Sequence, residues 1–272
     1  RFFNTVDYTN YERKAILHRL SRAWLRYANS VGIQTWLAHG TLLGWFWNGL
    51  NLPWDLDLDV QITTTSLLLL ARNYNQTLVL DVTDNDINLG VATYLVDVGP
   101  AYHHRSRGNG LNTIDARFID TSTGFYVDIT ALSHTEKQLR MEMESLRAKY
   151  IENQELFSCK NLHFSTWDNL SPLRQTLFEG VKAYVPNAFQ HILKREYHHG
   201  LYSKQHEKHT YRPVLDLWVP SHICRNDPIG NACHDADTLL DADHTKQFTT
   251  YHRQEMAKIK IENGDFDTFR ID

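Results

Sequence analysis

The sequence predicts an α+β (mixed α/β) fold: one mixed sheet with helices packed on one face, extended at its C-terminal end by a smaller α/β portion. Three observations carry this. Asp55, Asp57 and Asp59 alternate with Leu56, Leu58 and Val60, and a period of two marks a strand with two unlike faces. Ile16, Leu20, Ala23, Trp24, Tyr27 and Val31 keep helical spacing from Tyr11 to Val31, and Gly32 follows as a stop. Ile114–Asp120 and Phe125–Leu132 flank Thr121-Ser122-Thr123-Gly124, a hairpin signal.

The acidic strand is the chemical centre. Three carboxylates within two pleats repel, and each pKa rises unless a cation sits among them. A hard divalent cation with oxygen ligands, Mn2+ or Mg2+, answers that need. A solvated strand face with chance acids is the poorer reading, because Asp is a weak strand former and like charges destabilise a sheet. In the hairpin's second strand Asp128 lies between Val127 and Ile129. An acid among apolar residues on a central strand is expensive unless paired or metal-bound. Asp57, Asp59 and Asp128 are therefore the candidate catalytic residues, and with Asp55 the candidate metal ligands. Arg117, on the partner strand, is either the ion-pair partner of Asp128 or a phosphate contact.

Upstream, Ile33–His39 reads as a short strand, and Gly40-Thr41 opens an apolar run, Leu42–Trp47, stopped by Asn48-Gly49. A strand, a Gly-Thr turn and a helix start leave backbone N–H groups and a hydroxyl free for an anion, and Gly40 permits close approach. His39, Gly40, Thr41 and Arg117 are thus candidate phosphate-binding residues. Trp54 joins them as a stacking surface for a base or sugar, or serves as a core tryptophan.

The remaining elements follow in order. A helix is expected from Thr64 or Thr65 to Asn75, strands over Leu78–Val82 and Val91–Val98, and a turn at Asp84–Asn88. The loop Ala101–Asn112, with His103, His104, Arg105 and Arg107, is a solvated basic loop or an anion contact. A surface helix is expected over His134–Ile151 and one or two short strands over Glu155–Phe164. A Gly-bearing strand pair follows Ser171, and Pro186 opens a helix. Pro213–Pro220 and Asp227–Asp243 read as irregular loop, and His244–Glu262 as a last helix. The expected division is a catalytic core, 1–150, with a C-terminal subdomain, 151–272, packed on it. His198, His199, His206 and His209 lack regular zinc-ligand spacing.

The chain has 272 residues and a net charge of −4, enough for a sizeable core and without the basic footprint of a nucleic-acid binder. No apolar run reaches membrane-spanning length, and the chain starts at Arg1 without a signal peptide. It reads as a mature or expressed piece, so a missing anchor proves little. Cys224 and Cys233 flank a turn-rich loop and are spaced for a small disulfide loop; Cys159 is the third cysteine. Asn75-Gln76-Thr77 and Asn169-Leu170-Ser171 are glycosylation sequons.

Gly40-Thr41-Leu42-Leu43-Gly44, a bulky helix, then Pro53-Trp54-Asp55 and alternating acids resemble the LicD-type branch of the nucleotidyltransferase fold. That branch includes bacterial phosphocholine transferases, fukutin and fukutin-related protein, and fungal proteins of N-glycan mannosylphosphorylation. The aromatic stretch Ala38–Gly49 and Trp54–Gln61 are most similar to the fungal group. The resemblance covers Ile33–Ala131 well and the C-terminal part more loosely. Many bacterial members carry adjacent acids where Leu56 stands here, so Asp55 is either a ligand or a neighbour. The resemblance implies a polymerase-β-type sheet and a third carboxylate at Asp128. It also implies transfer of mannose 1-phosphate from GDP-mannose to a mannose hydroxyl of an N-glycan, with release of GMP, in the Golgi lumen by a type II membrane protein. Two rivals stand beside it: a metal-dependent glycosyltransferase, which would release GDP, and a non-catalytic lumenal activator of another transferase.

Overall fold

The computed structural model describes residues 7–82, 90–105, 113–135, 155–223, 235–260 and 268–269. The expected turn at Asp84–Asn88, Arg107, most of the expected helix after His134, and Cys224 and Cys233 lie outside the described residues.

Helix α1 (Asn10–Ser30) starts with a capping box: the Glu12 N–H donates to the Thr9 hydroxyl, and the Thr9 N–H donates to the Glu12 carboxylate. The chain then forms β1 (Thr35–Leu37), α2 (His39–Asn48), β2 (Leu58–Thr63), α3 (Thr64–Asn73), β3 (Thr77–Asp81), β4 (Ala92–Val98), β5 (Ala116–Asp120) and β6 (Tyr126–His134). The strands lie side by side in the order β1-β2-β6-β5-β4-β3. Only the β2–β6 pair is parallel; its neighbours in this row run antiparallel. Two short strands, β7 (Leu156–Ser158) and β8 (Phe164–Thr166), extend the sheet from the far end of β6.

Register gives this sheet two chemically opposite faces. Leu58 pairs with Val127, Val127 with Phe118, and Phe118 with Val96; all four are at most 2% exposed. Trp24 and Tyr27 of α1 meet the Phe118 ring at 5.5 and 5.6 Å between centroids, so α1 covers this apolar face. One residue along, the same pairing aligns Asp59, Asp128, Arg117 and Asp97 across four strands. A slip of one residue would bury that row of charges.

After β8 come a single-turn helix α4 (Trp167–Leu170), the hairpin β9 (Leu173–Phe178) and β10 (Val181–Val185), and α5 (Phe189–Glu196). A small antiparallel sheet follows, built of β11 (Gln205–His206), β12 (His209–Arg212) and β13 (Leu217–Pro220), then α6 (Ala236–Lys260); β14 (Thr268–Phe269) pairs with β9. The β9–β10 turn holds Glu179 at φ 48° and Gly180 at φ 73°, the doubly left-handed form of a tight hairpin turn. Glu179 is buried and kept there by four partners: the Asn51 backbone N–H and side-chain amide, His18, and Arg22, which donates to its carbonyl.

Several expectations are corrected. The strand carrying the acids begins at Leu58, not Asp55. The turn after Leu52, closed by the Asp55 N–H to the Leu52 carbonyl at 3.0 Å, occupies the earlier positions and leaves Leu56 55% exposed. His134 ends a strand rather than starting a helix. Pro213–Pro220, expected to be irregular, includes β13, and the last helix starts at Ala236 rather than His244. Arg105, in the loop read as solvated or anion-binding, turns inward. It grips fully buried Asp115 through two nitrogens, at 2.7 and 3.1 Å, and Lys160 joins them at 2.9 Å. Among the described residues, no helix is long and apolar enough to cross a membrane.

His252 of α6 is buried against the Cα of Gly49 and the edge of Trp45. Burial holds its imidazole down to about 4, partly offset by the Phe46 backbone. The unfolded chain therefore binds that proton first. Stability should fall as pH drops through about 6.5 and level off below 4, by about 3 kcal/mol in all. Denaturant titrations between pH 7 and 4 should show this slope reduced by about that amount in His252→Leu.

Candidate active site

Asp59 sits in β2 directly opposite Asp128 of β6, and Asp57 arrives from the bend just before β2. One carboxylate oxygen from each of the three lies within 4.8 Å of the others. Among the described residues this is one of two groups able to hold a metal ion. Its donors are all hard oxygens, which suit Mg2+ or Mn2+.

The surroundings leave this negative charge incompletely paired. Arg117 donates through Nε to Asp128 Oδ1 at 2.6 Å, and its guanidinium lies 4.3 Å from the centroid of the Tyr126 ring. Burial raises the Asp128 pKa; Arg117 opposes that rise and Asp57 adds to it. Burial, then the charges of Asp57 and Asp128, push Asp59 up to about 6, although His39 pulls it down. Asp55 is pushed up to about 7 by burial, by the charge of Asp57 and by a hydrogen bond to it, and by Asp59. Asp55 thus stands behind Asp57 and outside the three-carboxylate group.

Helix α2 starts at this cluster because β1 and β2 pair and the Ala38 N–H donates to the Asp59 carbonyl at 3.1 Å. Ala38 caps the helix without a side-chain hydrogen bond, so its first turn is a place for negative charge. The Asp55 carboxyl lies beside that turn. A Cβ on Gly40 would lie 2.3 Å from Asp55 Oδ2, which explains glycine at this position. Thr41 is buried and its hydroxyl accepts the Asp59 N–H at 2.8 Å; it acts on the site by placing Asp59. Trp54 is surrounded by Trp218, His206 and His209 at 4.8, 5.0 and 5.5 Å between ring centroids. That packing also accounts for two histidines of the His-rich run. His39 Nδ1 meets Glu196 Oε2 at 2.9 Å.

Sequence reasoning missed Tyr197, His163 and Glu196. The Tyr197 phenol is raised by burial and then by the charges of Glu196, Asp59, Asp55 and Asp57, so α5 ends over the acidic cluster. No local pattern marks these residues; they reach the site only when the C-terminal half docks.

Residues 32–188 match the model of the family described as LicD/FKTN/FKRP, nucleotidyltransferase domain. The chain is 29% identical to Mannosyltransferase regulator 4 of Saccharomyces cerevisiae, over 80% of this chain and 26% of that protein. It is also 29% identical to Mannosyltransferase regulator 14 of the same yeast, over 76% of this chain and 31% of that protein. It thus spans about a quarter to a third of the length of these relatives.

The charge balance makes a prediction that needs no substrate. Asp59 has a folded pKa above its unfolded one, so stability falls as pH rises from about 4, and the loss is complete above about 6. Asp59→Asn should raise stability in chelator-treated buffer at pH 8 by about 1–3 kcal/mol. The gain should vanish below pH 4, where the wild-type carboxyl is itself protonated. Thermal melts at the two pH values measure it.

Proposed function

Because the chain belongs to the LicD/FKTN/FKRP nucleotidyltransferase-domain family, we propose that it transfers mannose 1-phosphate from GDP-mannose to a mannose hydroxyl of an N-glycan and releases GMP. The observation that carries this reading is the convergence of Asp57, Asp59 and Asp128, with oxygens within 4.8 Å of one another, at the start of α2. Three hard carboxylate donors with incompletely paired charge fit a divalent cation, Mn2+ or Mg2+. Once bound, such a cation neutralises the donor diphosphate and acidifies the acceptor hydroxyl.

The chain's own residues have separate tasks in this proposal. Asp57, Asp59 and Asp128 hold the cation. Arg117 fixes Asp128 through Oδ1 and leaves Oδ2 for the cation, beside which the acceptor hydroxyl would give up its proton to water. Asp55 orients Asp57 through their hydrogen bond, and Gly40 leaves room for the Asp55 carboxyl beside α2. Thr41 sets Asp59, and Trp54 supports the cleft wall from its aromatic packing. Attack falls on the phosphorus bearing mannose, and the bond to the GMP oxygen breaks. We propose the Golgi lumen as the place of the reaction.

A second reading has its own support. Both yeast relatives are named regulators of a mannosyltransferase, so the domain would act by activating another transferase and need not turn over. Incubation with Mn2+ and GDP-mannose, with chromatography of the nucleotide released, separates the readings. The proposal predicts GMP; GDP would identify a glycosyltransferase, and no nucleotide would favour the regulator. Activity should fall by roughly 100-fold or more in Asp57→Asn, Asp59→Asn and Asp128→Asn, and by roughly 10-fold in Asp55→Asn, with folding retained.

A further inference from the structure

Beside the acidic cluster lies a second group of unlike chemistry. His39 opens α2, His163 precedes β8, and Glu196 ends α5. One donor atom from each lies within 4.8 Å of the others. His39 Nδ1 stands 2.9 Å from Glu196 Oε2 and His163 Nδ1 3.8 Å from Oε1, so the two imidazoles address opposite oxygens of one carboxylate. The rings are 4.2 Å apart between centroids. His39 and Glu196 are nearly enclosed, with side chains 14% and 12% exposed; His163, at 38%, forms the open side.

Hydrogen bonding alone explains this group incompletely. The 3.8 Å separation is too long for a hydrogen bond, so the His163 nitrogen and the second carboxylate oxygen face each other without bonding. A cation seated among the three side chains would use all three donors. The donor set decides which cation. Two imidazoles and a carboxylate suit zinc and its borderline neighbours, whereas the all-oxygen cluster suits Mg2+ or Mn2+. Three protein ligands also leave a fourth position for water or a ligand.

We propose that His39, His163 and Glu196 form a zinc site, distinct from the acidic cluster, that ties the start of α2 to the end of α5. The site would fix the imidazole of His39 next to Asp59 and fasten the C-terminal half over the cleft. Arg195, whose Nη2 lies 3.6 Å from Glu196 Oε1, would remain beside the carboxylate as an outer partner. This inference does not rest on the mannosylphosphate reading, since it concerns binding and not turnover.

The test is a zinc titration of chelator-stripped protein in millimolar Mg2+, which occupies the acidic cluster, with stoichiometry read by elemental analysis. Cobalt(II) absorption provides a parallel readout of imidazole ligation. Wild type and Asp57→Asn/Asp59→Asn should each bind one zinc with equal affinity. Zinc affinity should fall more than about tenfold in His163→Ala and Glu196→Gln, with unchanged circular dichroism in His163→Ala, whose side chain is the most exposed of the three. No saturable zinc in wild type under Mg2+ would overturn the proposal. So would zinc that survives His163→Ala and disappears in Asp57→Asn/Asp59→Asn, because the metal would then belong to the acids.

Discussion

The parallel pairing of β2 with β6 sets Asp59 directly beside Asp128, and like charges opposed across a sheet destabilise it unless something compensates. Nearly every feature of the site answers that constraint. Arg117, opposite Asp128 on the next strand, supplies one positive charge. With no metal bound, His39 supplies a second at the helix start: burial works against its charged form, but the hydrogen bond to Glu196 and the charges of Glu196 and Asp59 hold its pKa above the ordinary value. Asp55, behind Asp57, is left with a carboxyl pushed up to about 7. The apolar face beneath, from Leu58 to Val96, fixes the register and so keeps these charges together.

A second set of contacts joins the two halves of the chain. The buried Glu179 turn receives hydrogen bonds from α1 and from the loop after α2. The Glu179 N–H in turn donates to the Gly49 carbonyl at 2.8 Å, at the left-handed C-cap of α2. The two ends of α2 therefore contact the C-terminal half, at Glu179 and at Glu196. The helix start beside the acids is held from both directions, which is the pre-organisation a charge-stabilising site needs.

Much of this was legible in the sequence because it is local. The α1 stripe, the β5–β6 hairpin and the acid alternation each show their period within a few residues. The convergence of Asp59 with Asp128 was also expected, but its parallel register was not, since strand pairing across an intervening chain leaves no short-range pattern. The start of β2 was misread because an alternating pattern continues unchanged through the turn that precedes the strand. Strands β12 and β13 were missed because each has only four residues and Pro213 lies between them. The inward turn of Arg105 was hidden for a different reason: its partner Asp115 continues the alternation of β5 and so reads as part of the polar face, yet it lies just before the strand and is fully buried. His163 and Glu196 come from ordinary-looking surface text, and only docking gives them meaning.

The central claim is that the three carboxylates form a cation site, and anomalous diffraction tests it most directly. A crystal containing manganese, measured at the metal's absorption edge, should show a peak bounded by Asp57, Asp59 and Asp128, with Asp55 beyond bonding distance. No peak there, or manganese bound by a different set of residues, would contradict the account.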